Sequence, residues 1–248
     1  MAYYISSGVI SSGITLYCNS MYVYSGGVAN NTTMYRDGYL HISSGGVANS
    51  TTVNEDGVLH ISSGGVANST TVNGDWNYGN GYLYISSGGV ANNTTLYWAG
   101  YLNISSGGIA NNTTVNSSGW LCVLSGGTAN SATVNRWGSM TISSGGTATD
   151  ITVASGAILR ITVASNTYIQ GSYAGSTFEM KDAKISGYTV NSGGYLYVSS
   201  GGTATNVVWT PCLGTLSIED GAYVTFASNY SGVYLGSANK LLSHAAIM

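Results

Sequence analysis

Asp37, Asp56 and Asp75 recur along one register of this sequence, with Glu55 beside the second. Stacked carboxylates could hold Ca²⁺ or serve a polysaccharide-cleaving site. Such a site also needs a Lys, Arg or His close by. Arg36 is adjacent, but the acid row ends after three members. Solvated turn acids are the simpler account. His41 and His60 share another register, followed by Tyr84. Two histidines want a third ligand, so exposed strand residues explain the pair better than a metal centre. No metal site and no cofactor is assigned. No nucleophile is joined to a base and an orienting group, so no enzyme is expected.

Three further patterns could carry chemistry. Asn-x-Thr recurs, as in Asn49-Ser50-Thr51 and Asn68-Ser69-Thr70. It is an N-glycosylation acceptor in a eukaryotic secretory protein, but a bend residue followed by a Thr strand is simpler. Thr33, Thr52, Thr71, Thr95, Thr114, Thr133 and Thr152 form a column. Flat Thr arrays can bind ice, yet one column is narrow and Thr ladders also stabilise sheets. The Ser-Gly-Gly phrases are not phosphate loops, because no helix follows them.

The largest functional signal is aromatic. Tyr35, Tyr39, Trp76, Tyr78, Tyr82, Tyr84, Tyr97, Trp98, Tyr101, Trp120 and Trp137 cluster in the half of a repeat that changes from unit to unit. Rings with amide and carboxylate neighbours suit sugar rings or protein side chains. The bland alternative is drift at outward strand positions, where Tyr and Trp have good strand propensity. Drift explains poorly why Lys and Glu are so scarce there.

The elements that position these residues follow from the repeat. The second Gly of Ser-Gly-Gly falls at Gly27, Gly46, Gly65, Gly89, Gly108, Gly127, Gly146 and Gly202. The steps are 19, 19, 24, 19, 19, 19 and 56. The period is therefore 19, with a five-residue insertion near 76–80 and three worn repeats in the last step, over 154–190. Dividing 248 by 19 gives about 13 units. The row Leu40, Leu59, Leu83, Leu102, Leu121, Met140 stands two residues before Ile42, Ile61, Ile85, Ile104, Val123, Ile142, which is strand alternation. Thr51 and its equivalents point inward too, because Ala132 and Ile151 replace them later. Ala48 and Val53 are an odd five residues apart, so a bend falls between, expected at Asn49 and its equivalents. Ser-Gly-Gly supplies the other bend. Units this short, with no 3.6-residue pattern, describe an all-β single-stranded right-handed parallel β-helix (a β-solenoid) of about 19 residues per coil. Residues 1–210 form the array, and 211–248 hold terminal coils and a C-terminal cap.

Composition agrees and excludes other classes. Charged residues are 6% and the net charge is −3, so no basic surface awaits nucleic acid. The 44% hydrophobic content argues against disorder. No apolar run reaches the roughly 18 residues of a membrane span. Cys18, Cys122 and Cys212 are too few and scattered for a disulfide framework.

The phrases Ser-Gly-Gly-Val-Ala-Asn-Ser-Thr-Thr-Val-Asn and Val190-Asn191-Ser192-Gly193-Gly194-Tyr195-Leu196-Tyr197-Val198-Ser199-Ser200-Gly201-Gly202 resemble the passenger repeats of AIDA-type autotransporter adhesins. The opening Ile5–Gly13 is similar to the start of such a passenger. The resemblance covers about residues 1–210. It implies a β-helical protein at the surface of Gram-negative bacteria, or outside the cell, that adheres to a host-cell glycan or protein or self-associates. It also implies O-linked heptose on exposed Ser43, Ser62, Ser86, Ser105 and Ser143. The sequence departs from the family in carrying no signal peptide and no C-terminal barrel, which points to a fragment or another export route. A structural spacer is the alternative function, and an ice-binding solenoid a more distant one.

Overall fold

The computed structural model describes residues 1–75, 77–209 and 214–227, with the backbone of 233–235 and 241–243. Trp76, Cys212 and most of the expected C-terminal cap lie outside the described residues. Among those described there is no helix. Eleven strands stack in parallel into one sheet, running from Ala2–Ile5 through Tyr39–Ile42, Val58–Ile61 and Gly81–Ile85 to Thr215–Ile218. The chain turns at Ser-Gly-Gly and returns along the far side as segments such as Val47–Val53. It turns again at residues such as Asn54–Gly57 to begin the next coil. Equivalent residues sit in register, as with Leu40 beside Leu59 and Ala48 beside Ala67. Ten steps of ~4.8 Å make a rod on the order of 50 Å long.

The interior is a thin column of small apolar side chains. Leu40, Ile42, Ala48 and Val53, with their equivalents in later coils, are fully buried. Thr32, Thr51, Thr70, Thr94 and Thr113 also face inward, as the drift to Ala132 and Ile151 leads one to expect. Their five hydroxyl oxygens have no hydrogen-bond partner. A buried hydroxyl without a partner costs about 1–3 kcal/mol. Thr70→Val removes that oxygen at nearly constant shape, so the thermal midpoint should rise or hold. A fall of several degrees would mean that the hydroxyl has a stabilising role.

The far-side bend falls one residue later than the sequence suggests. Ser50, Ser69, Asn93, Asn112 and Ser131 adopt the left-handed conformation, with φ of 55–57°. The preceding Asn keeps extended backbone and uses its side chain in a ladder. Asn49 Nδ2 donates to Asn30 Oδ1 at 2.9 Å, and Asn68, Asn92, Asn111 and Asn130 continue the chain of amides. Thr149 ends it by donating to Asn130 Oδ1 at 2.7 Å. An amide both donates and accepts, so one residue type can repeat without limit along parallel coils.

Regular coiling is interrupted twice, once at the expected insertion and once where worn coils were expected. At the insertion, paired backbone bonds between Asp75 and Gly79 close a loop. The 56-residue step does not hold three worn coils. The main sheet is crossed only at Ile158–Val163 and Tyr195–Val198, which pair directly. Between them Tyr168–Tyr173, Ser176–Lys181 and Lys184–Ser186 form an antiparallel meander on the far side. The extra layers widen the interior, and Phe178 and Tyr188 fill it edge to face with ring centroids 5.5 Å apart.

Candidate functional site

Outward positions of the main sheet form two columns. One runs Tyr39, Val58, Tyr82, Tyr101, Trp120, Ser139. The other runs Tyr4, Tyr22, His41, His60, Tyr84, Asn103, Cys122, Thr141, Arg160. Their rings touch in an unbroken series. Tyr4 and Tyr22 stack at 5.4 Å, His60 and Tyr84 at 4.7 Å, Tyr82 and Tyr101 at 5.6 Å, and Tyr101 and Trp120 at 5.5 Å. Tyr82 and Tyr84 join the columns at 6.0 Å. Strand spacing exceeds ring thickness, so stacked rings must lean and overlap only in part. From Tyr22 to Tyr101 the rings are half-exposed, and Tyr4 and Trp120 at the two ends are exposed.

The expected stripe therefore divides between two neighbouring surfaces. Tyr39, Tyr82, Tyr84, Tyr101 and Trp120 lie on this flat face. Tyr35, Tyr78, Tyr97, Trp98 and Trp137 lie on the adjoining corner, where the chain turns into the sheet. On that corner Arg36 sits between the rings of Tyr17 and Tyr78 and donates to the Tyr17 hydroxyl at 2.9 Å. Arg136 lies 4.4 Å from the ring centroid of Trp137. Position relative to the Ser-Gly-Gly turn could have separated the two. Tyr22 stands five residues before Gly27, as His41 does before Gly46, and so belongs to the face.

His41 and His60 serve as ring members of this face. His41 Nε2 also bonds Ser62 Oγ at 2.9 Å. Burial, and secondarily the nearby His41, lowers the His60 pKa below the ordinary value of 6.5. The folded state thus disfavours the charged form relative to the unfolded chain. Stability should be full above pH 6.5 and decline as pH falls toward the depressed folded value. His60→Gln should flatten that decline in a series of thermal melts, and an unaltered profile would refute the assignment.

The acid row is shorter than its spacing suggests. Asp37 and Asp56 are neighbours, with Asp37 N–H donating to Asp56 O at 3.0 Å. The next place is taken by Asn80, which accepts from Asp56 N–H at 2.9 Å. Asp75 is carried off by the loop and bonds Asn77 N–H at 2.8 Å. No group of three or more His, Cys, Asp or Glu is placed to hold a metal among the described residues. The Thr52 column is in register but one residue wide.

The serines also differ from expectation. Ser43 is buried, while Ser62, Ser86, Ser105 and Ser143 are half-covered under the turn. The exposed hydroxyls are one residue later, at Ser44, Ser63, Ser87, Ser106 and Ser144. Three Cβ-free positions explain the tight turn beneath them. At Gly46, Gly65 and Gly89 a Cβ would stand 2.4 Å from a carbonyl oxygen of the coil below.

A family model described as "Adhesin of bacterial autotransporter system, probable stalk" (AIDA) matches residues 19–75 and 79–138. The crystal structure of a TibC-catalysed hyper-glycosylated TibA fragment is similar over 90% of this chain and 94% of that one. The identity is 27% and the TM-score 0.61. No curated protein matches the sequence. Among the described residues no helix is long and apolar enough to cross a membrane.

Proposed function

This chain carries the repeats of the AIDA family of bacterial autotransporter adhesins, and on that premise we propose that its ring-lined face binds a host glycan or surface protein. The family places such passengers at the bacterial surface or outside the cell, in an adhesin or stalk role and with no enzymatic activity implied. The observation that carries the reading is the unbroken ring series from Tyr4 to Trp120 on one flat sheet face. Half-exposed rings offer apolar surface together with hydroxyl, imidazole and indole groups. That combination suits the apolar faces and hydroxyl rims of sugars. A rigid sheet holds the groups in place before binding, which limits the entropy lost on contact.

The family description also favours a second reading, in which the rod only holds a tip domain away from the cell. The intact chain separates the two. Immobilised on a surface, it should retain host epithelial cells or arrayed glycans by itself. A pure spacer retains neither. Sugars on the chain's own exposed serines, suggested by the glycosylated TibA fragment, extend this proposal. Intact mass after co-expression with a heptosyltransferase reads them, with Ser44, Ser63, Ser87 and Ser106 as the sterically open acceptors.

A further inference from the structure

The unbroken ring series ends at Trp120, and a cation stands beyond it, between that series and the stacked Tyr195–Tyr197 pair of the following main-sheet strand. Beyond Trp120 the outward positions hold the small side chains Ser139 and Thr141. Arg160 lies one coil further and reaches back across Ser139. Its Nη1 donates to Ser139 Oγ at 2.8 Å, and its guanidinium carbon is 5.8 Å from the Trp120 ring centroid. Among the described residues it has no carboxylate partner. The wider face is equally one-sided. The chain has nine Asp and Glu against six Lys and Arg, yet no outward position of the eleven main-sheet strands carries an acid. Arg160 is the one Lys or Arg among those positions.

We propose that Tyr101, Trp120 and Arg160 form a subsite for a carboxylate-bearing sugar, such as a sialic or uronic acid residue of a glycan. The proposal rests on the reading of this face as a glycan-binding surface and names the class of glycan. A guanidinium presents parallel N–H donors that match a planar carboxylate. Trp120 offers its exposed ring to the apolar face of the same pyranose. Ser139 and the Trp120 ring hold the arginine arm in one place, so little side-chain freedom is left to lose on binding. No main-sheet strand holds an acid at an outward position, and Glu219, just past the last strand, is engaged by the Tyr197 hydroxyl, so little repulsion opposes an anionic sugar at Arg160.

The test uses the whole chain against immobilised lactose, sialyllactose and sulfated lactose, and against a hyaluronan oligosaccharide before and after reduction of its carboxylates. Sialyllactose and native hyaluronan should bind better than their neutral counterparts, and added salt should weaken them. Arg160→Gln should reduce acidic-glycan binding about ten- to a hundredfold, as expected for loss of a charge-assisted bond. Arg160→Lys, which keeps the charge and the packing stem, should retain part of it. Equal binding of lactose and sialyllactose overturns this proposal and leaves the glycan reading standing. So does unchanged binding by Arg160→Gln. Preference for the sulfated over the sialylated sugar overturns the carboxylate assignment. Binding of no glycan at all overturns both the subsite and the glycan reading.

Discussion

Gly65→Ala should lower the thermal midpoint sharply, while Gly64→Asn, one residue earlier, should leave it nearly unchanged. The two glycines serve different ends. Gly64 has φ of +77° and open space around its missing Cβ. Asn tolerates that conformation, so its cost there is small. Gly65 is buried, and a Cβ there would meet the Ile42 carbonyl oxygen at 2.4 Å and the carbonyl carbon at 2.6 Å. Both atoms are backbone of the coil below and cannot turn aside. Overpacking of this kind costs about 1–3 kcal/mol, toward the upper end where backbone must move, or roughly 5–10 °C for a chain of this size. Each coil touches only its neighbours, so the damage should break the stack locally. Equal midpoints for the two variants would contradict the packing described for the turn.

Replacing Tyr82, Tyr101 and Trp120 together by Ser should reduce ligand binding about thirtyfold or more, the range for loss of buried aromatic anchors. Replacing Tyr78 and Trp137 by Ser should change it little. The first set lies on the flat face and the second on the corner. The face variant also loses three stacked contacts, Tyr82 with Tyr84, Tyr82 with Tyr101 and Tyr101 with Trp120. Each contributes about 0.5–1.5 kcal/mol, so binding must be compared well below the lowered midpoint. An all-β circular dichroism spectrum should persist, because none of the three side chains belongs to the interior. Loss of binding in the corner variant alone would move the site to the turn.

What was legible in the sequence was what repeats. Leu40, Ile42, Ala48, Thr51 and Val53 announce the inward rows because each recurs with period 19 and strand alternation. The Thr51 row was readable only through its late replacement by Ala132 and Ile151. Other features depend on contacts between coils. Asn49 and Ser50 are both plausible bend residues. Only the stack shows that the Asn amide is engaged with Asn30 and Asn68, leaving Ser50 to bend. Asp75 keeps its spacing in sequence while the loop it opens removes it from the row. The meander at 168–186 was hidden because Ser176–Lys181 and Lys184–Ser186 keep strand alternation while the segment drops the Ser-Gly-Gly phrase. The ring stripe was visible as a group, yet its division into face and corner depends on the turn at Gly38, Gly100 and Gly119.

The central claim is that a ligand lies along the flat ring-lined face of the rod. Hydroxyl-radical footprinting with and without a bound glycan or host receptor tests it most directly, because the oxidation of each Tyr and Trp is read separately. The account predicts protection of Tyr82, Tyr101 and Trp120 on binding, with Tyr78 and Trp137 oxidised as before. Protection of the corner rings with the face rings unchanged would contradict it, as would no protection at either.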